Sequence, residues 1–273
     1  MKNLKLSAFV IVSISLLISA CGEEQHSTAP TYNFEKADSL PSGYLEELGI
    51  VKTNIEVTAK LYARMNSVGY AYNESVLLSA GKSFSGSSKQ ALGIGAVGSD
   101  LVYAASFAQS QSAMDRMKGL ISTAGSLGIG EAFDEELMTK MASDDSTINK
   151  SVLLTKAYLK AKDQLFSDER AQLATMMIIG GWIEGLHVSC QMLKTEIKDD
   201  EIRIGFWELV NSIENVRHLC VVFKNNAELT ALDEQLGKLS DQITPIKKHA
   251  KKYTIADVNA LADAIATIRN STF

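Results

Sequence analysis

Residues 171–193, AQLATMMIIGGWIEGLHVSCQML, are apolar or small on every face of a helix, and their reading decides the fold. A helix that is hydrophobic all round belongs in the middle of a bundle or in a membrane. Only 13 uncharged residues (171–183) precede Glu184, short of the roughly 20 that a span needs, and Gln172, His187 and Gln191 add further polarity. The segment therefore reads as the core helix of a bundle. Residues 92–108, LGIGAVGSDLVYAASFA, share the same character. Gly93, Gly95 and Gly98 in one segment, and Gly180, Gly181 and Gly185 in the other, each cost about 1 kcal/mol against alanine in a helix. That cost is tolerable where a second backbone must approach closely, and Gly181-xxx-Gly185 has the spacing of such a contact face. The two helices are expected to pack on one another through their glycines.

Around this pair the chain reads as helical nearly throughout. Residues 44–66 carry a stripe at Leu45, Leu48, Val51, Ile55, Thr58, Leu61 and Met65. Residues 67–89 are less regular and end in the loop GKSFSGSSK (81–89). A long helix is expected from Gln90 to Thr123, broken by STAGSLGIG (122–130), with a short helix over 131–142. DDST (144–147) introduces a helix ending near Phe166. Ser167 should cap the next helix, with Asp168 and Glu169 in its first turn. Helices over 202–224 and 227–243 follow, the second with a 3–4 seam of Leu229, Leu232, Leu236, Leu239 and Ile243 that packs on the bundle or on a partner. Pro245 should end it. Thr254 and Asp257 form a capping box that opens a terminal helix. The fold expected is all-α, a multi-helix bundle over residues 41–273 with two central glycine-rich apolar helices.

The N-terminus has a different logic. Lys2 and Lys5 precede an apolar run, Leu6 to Ile18, that is too short to span a bilayer, and Leu17-Ile18-Ser19-Ala20-Cys21 resembles a lipobox. Residues 1–20 are expected to be a removable signal peptide, Cys21 the acylated (palmitate-bearing) N-terminus, and 21–40 a flexible tether that includes Pro30 and His26. Gly22 is not the aspartate of inner-membrane retention, so an outer-membrane location is expected. Glu23 and Glu24 resemble acidic residues that send some lipoproteins to the surface. Loss of Lys2 and Lys5 moves the formal charge from −5 to −5 − 2 = −7, which argues against a nucleic-acid partner. Attachment to the membrane must then come from the lipid anchor.

Two cysteines remain. In an antiparallel hairpin turning near residue 198, Cys190 would face residue 207, leaving Cys220 roughly 20 Å away at helical rise. A disulfide needs Cα atoms within about 7 Å, so two buried free thiols are expected.

Polar groups on the two apolar helices are the candidate functional residues. Asp100 shares a face with Gly93, Ala96, Tyr103 and Phe107, while Glu184 and His187 lie one turn apart. A buried carboxylate is costly unless paired. Asp100 with Tyr103, or Glu184 with His187, would satisfy that demand as a buried network. The alternative is a ligand pocket between helices 92–118 and 168–195 built around the same four residues.

The strings ALGIGAVGSDLVYA (91–104) and IGGWIEGLH (179–187) resemble segments of a group of uncharacterised Gram-negative helical lipoproteins with a GxxxDLxY-like and a GGWIE element. The similarity extends over about residues 44–195. It implies an exported, anchored all-α protein and no particular activity. The group carries a tyrosine after the residue matching Leu186; His187 stands there in this chain, so no shared catalytic role is read for it.

Glu184-xx-His187 has the spacing used in di-iron bundles, which need a second such motif and two more carboxylates. Glu214-xxx-His218 comes nearest but lies beside an apolar face, which places it in solvent. No zinc, phosphate-loop or nucleophile-elbow pattern occurs, and no cofactor or metal is expected. Two readings follow: a non-enzymatic binding, scaffolding or sensing lipoprotein with an envelope-protein partner, and a small-molecule- or metal-dependent activity between the glycine-rich helices.

Overall fold

The computed structural model describes residues 44–143, 148–167, 170–249 and 252–273, with the side chains of 44–55, 142 and 151 excepted. The signal segment, Cys21, the tether with His26, residues 144–147 and the pair Asp168-Glu169 lie outside the described residues.

All regular structure among the described residues is helical. In chain order the helices are α1 (Tyr44–Ser67), α2 (Ser87–Ser106), α3 (Ser110–Ser126), α4 (Glu135–Ala142), α5 (Lys150–Ser167), α6 (Ala171–Leu193), α7 (Asp200–Asn211), α8 (Ile213–Val222), α9 (Ala227–Lys247) and α10 (Ile255–Thr272). Single 3₁₀ turns at Glu74–Val76 and Gly130–Ala132 shape two connections. Helix α6 runs through the middle, with α2 as its most extensive neighbour and α10, α5, α1 and α8 packed around it. It is long and apolar enough to cross a membrane, yet 89% of its most apolar stretch is buried inside the bundle.

The glycines explain why α2 and α6 lie so close. A Cβ placed on Gly95 would sit 1.8 Å from the Met177 carbonyl oxygen, and one on Gly180 would sit 2.0 Å from that of Leu92. Gly181 faces Gly95, whose carbonyl oxygen would be 3.3 Å from an added Cβ. At Gly95 and Gly180 backbone rests on backbone, and only glycine fits.

Several boundaries differ from the sequence reading. The expected helix from Gln90 to Thr123 is two helices, broken at Phe107-Ala108-Gln109, where Ala108 has φ +56°. Nothing in the local sequence marks that turn. Ser167 is the last residue of α5, its hydroxyl bonded back to the Gln164 carbonyl, and so it does not cap α6. The expected 202–224 helix is interrupted at Ser212. There the Trp182 indole donates to the Leu209 carbonyl and the Ser212 hydroxyl, drawing on a carbonyl that a continuous helix would use. Pro245 does not stop α9, which reaches Lys247; in the last turn its missing N–H costs one ladder bond at most. Other expectations hold. The leucine seam of α9 is buried within the chain, Thr254 and Asp257 form the reciprocal capping box, and Cys190 and Cys220 are free and buried.

Gly180→Ala is expected to destabilise by about 3 kcal/mol or more, because the new methyl meets backbone that cannot rotate away. In a thermal melt this is a fall of roughly 6–12 °C for a domain of this size. Gly125→Ala in α3, where an added Cβ meets nothing within 4 Å, should instead gain about 0.5–1 kcal/mol. Equal melting of Gly180→Ala and the parent would show that the helices do not touch there.

Candidate functional site

One turn beyond the glycine crossing, each central helix places a carboxyl group in the core. Asp100 and Glu184 are fully buried. Glu184 receives both arms of the Arg269 guanidinium from α10, Nε to Oε2 and Nη2 to Oε1, each at 2.7 Å. Asp100 Oδ2 accepts the Leu78 backbone N–H at 2.9 Å and lies 3.8 Å from Nε of Arg116 on α3. The other oxygen, Asp100 Oδ1, has no N–H or O–H donor, while the Asp100 and Glu184 carboxyls are within hydrogen-bond reach of each other. Two carboxylates cannot hold such a contact without a proton between them.

The proton belongs to Asp100. Burial pushes both carboxyl pKa values up, and for Asp100 the neighbouring Glu184 charge pushes further, well above the usual range. Burial of Glu184 is opposed by the hydrogen bonds and charge of Arg269. Asp100 therefore donates and Glu184 accepts. The guanidinium of Arg116, 2% exposed, also donates to the Leu78 carbonyl at 3.0 Å and pairs with Glu74 at 2.7 Å. Burial alone would raise Glu74, but hydrogen bonds from Tyr72, Ser112 and Arg116 outweigh it and hold its carboxyl below the usual value. With Asp100 protonated, Arg116 and Arg269 balance Glu74 and Glu184, and the cluster is neutral.

The two expected internal pairs do not form. Tyr103 is fully buried, but its hydroxyl accepts the Asn73 N–H at 3.0 Å and points to Met192 Sδ at 3.1 Å. Its ring stacks on Tyr72 at 5.2 Å and meets Tyr62 edge-on at 5.1 Å. His187 bonds to the Val76 carbonyl, and its Nδ1 is buried without a partner. Burial, helped by the Arg269 and Lys194 charges, pushes the imidazole down to about 4, so it is neutral at pH 7.

Arg116 and Arg269 complete the network, and the sequence reading missed both. Each occupies a core-facing position of an amphipathic helix: Arg116 in the series Ala113, Met117, Leu120, and Arg269 four residues after Ile265. A cation on an apolar stripe was the available signal. Glu214 and His218 are exposed on α8, where Glu214 accepts from Ser240. Among the described residues, no three His, Cys, Asp or Glu side chains gather as a metal-ligand set.

Beside this network, a cavity of about 60 Å³ borders the glycine crossing of α2 and α6 and reaches α5. Gly95, Gly98 and Gly181 line it, together with apolar groups such as Leu101, Phe133 and Trp182. Its polar lining is hydroxyls only: Thr58, Ser99, Thr155 and Tyr158. Asp100, Tyr103, Glu184 and His187 are not part of its wall.

No family model matches the chain, and neither a curated protein nor a solved structure shows significant similarity to it.

The proton on Asp100 sets a pH dependence. A carboxyl whose pKa is higher folded than unfolded takes up a proton on folding, so its contribution falls as pH rises above about 4, the unfolded value. His187 acts oppositely: its contribution is complete above its ordinary 6.5 and is lost as pH falls toward about 4. Asp100→Asn keeps an acceptor for Leu78 and offers Glu184 a permanent N–H, so it removes the first slope and leaves the second. Thermal melts from pH 5 to 9 should show the variant gaining on the parent as pH rises; a constant difference would place no proton on Asp100.

Arg269→Met leaves Glu184 buried without its cation and should cost about 3–5 kcal/mol. Glu184→Gln, which keeps the size and part of the hydrogen bonding, should cost about 1–3 kcal/mol in the same urea titration. The reverse order would mean that Glu184 is wet.

Proposed function

We propose that this chain is a lipid-anchored cell-envelope protein whose helical bundle has a non-enzymatic binding, scaffolding or sensing role. The observation that carries the non-enzymatic part is the closure of the buried charges on each other. Both oxygens of Glu184 are taken by Arg269, and Arg116 is shared among Asp100, Glu74 and Leu78. A group so engaged is poorly placed to exchange protons with a substrate or to ligate a metal. The lipobox-like Leu17–Cys21 and the charged n-region support anchoring, and the resemblance to helical Gram-negative lipoproteins adds to it. Gly22 after the cysteine favours the outer membrane, and Glu23-Glu24 favours surface display. An envelope protein is the partner class this reading implies. The cavity between α2 and α6 gives the second reading, a small-molecule-dependent role, its specific footing.

Metabolic labelling with palmitate and membrane fractionation test the anchor. The parent chain should incorporate label and sediment with outer membranes, while Cys21→Ser should lose label and either become soluble or remain unprocessed. Normal membrane localisation with an unlabelled Cys21 would overturn the reading. Surface protease digestion of intact cells separates external from periplasmic display. A stoichiometric ion on the parent chain in native mass spectrometry, absent from Glu184→Gln, would replace the non-enzymatic role with a metal-dependent one.

A further inference from the structure

Between α1 and α2 the chain crosses the buried charges, and core side chains grip its backbone there. Asn73 and Leu77 are extended on either side of the 3₁₀ turn Glu74–Val76, and Val76, Leu77 and Leu78 are buried. The Asn73 N–H donates to the Tyr103 hydroxyl at 3.0 Å, and the Leu78 N–H to Asp100 Oδ2 at 2.9 Å. The Leu78 carbonyl accepts from Arg116 at 3.0 Å, and the Val76 carbonyl accepts from Arg269 at 3.4 Å and from His187. Among the described residues, no backbone-to-backbone bond joins 73–78 to another element. Five side chains from four helices thus hold a main chain, as a receptor holds a peptide.

The side chains of the segment add a pattern to this grip. Glu74 meets Arg116 at 2.7 Å and Ser112 at 2.8 Å, and after the exposed Ser75 come three buried apolar residues. The connection is bounded by Gly69 and Gly86, both at φ +82°, where an added Cβ would meet nothing within 4 Å. A positive φ favours glycine, and neither position is crowded, so both ends can turn without displacing packed atoms. Tyr70 is bonded to the Glu196 carbonyl and the Lys198 N–H, which ties the near end to its own molecule and disfavours exchange with a second copy. We propose that the groove formed by Asp100, Tyr103, Arg116, His187 and Arg269 is a recognition site for a peptide with an acidic residue two positions ahead of an apolar triplet, occupied in the resting chain by residues 73–78 and open to a partner protein's segment of the same pattern. This rests on the binding role proposed above and names its partner's chemistry; it is independent of how the chain is anchored.

A site covered in cis binds a peptide in trans only through the fraction of molecules in which it is open, so loosening the cover tightens the apparent affinity. The test uses the unacylated full chain (Cys21→Ser) and a fluorescein-labelled peptide of residues 72–79, Tyr-Asn-Glu-Ser-Val-Leu-Leu-Ser, followed by anisotropy. Glu74→Lys sets a second cation against Arg116 and should uncover the groove. The peptide is expected to bind this variant about 10- to 100-fold more tightly than it binds the parent, the weight of one charge-assisted hydrogen bond. The same peptide with lysine in place of its glutamate should bind the variant weaker by a similar factor, with the variant's circular dichroism like the parent's. If Glu74→Lys fails to fold, Glu74→Gln, which removes the charge at nearly constant size, takes its place with the same order expected. Absence of saturable binding to the folded variant at millimolar peptide, which would make the segment a structural plug only, overturns the proposal. So do equal affinities in parent and variant, or for the two peptides. A dimer of the variant that the peptide does not dissociate would assign the groove to a second copy of this chain and also overturns it. None of these outcomes bears on acylation of Cys21, so failure here and failure of the anchor reading are told apart.

Discussion

The contact on which the rest of the molecule depends is backbone against backbone, Gly95 on Met177 and Gly180 on Leu92. The absence of a Cβ at both crossings fixes how far apart α2 and α6 lie and their register along one another. Asp100 stands five residues beyond Gly95, and Glu184 four beyond Gly180. A register that seats the glycines therefore brings the two carboxyls face to face. The cavity borders the same crossing, with Gly95, Gly98 and Gly181 in its wall.

Buried ionic clusters are an indifferent source of stability, because desolvation offsets much of the attraction. Their value is in discrimination between arrangements. Sliding α6 by one turn against α2 would strand Glu184 away from Asp100 and cost far more than the loss of apolar contact. In this bundle the proton on Asp100 is part of that selectivity, since it converts a repulsive carboxylate pair into a hydrogen bond and brings the cluster of Arg116, Arg269, Glu74 and Glu184 to neutrality. The glycines define where the helices meet, and the charges penalise every other register.

How much of this was legible in the sequence follows from the range of the forces involved. Composition alone marks 171–193 and 92–108 as interior, and the α9 seam and the Thr254 cap are local patterns that the structure keeps. The breaks at Ala108 and Ser212 were not legible, because the second is drawn by the indole of Trp182, 30 residues away, and the first has no glycine or proline to announce it. Burial of Asp100 and Glu184 could be read from their neighbours, but their partners could not. Local pairing favoured Tyr103 and His187, whereas the guanidinium that reached Glu184 comes from 85 residues further on.

That separation between Glu184 and Arg269 has a temporal side. A chain made from its N-terminus finishes α2 and α6 long before α10 exists, so the central pair can meet while one of its carboxylates still lacks a cation. Docked early, α6 must either keep Glu184 protonated or admit water at the crossing. Arrival of Arg269 lets the charge be sealed. Closure of the interior around Glu184 therefore waits on α10.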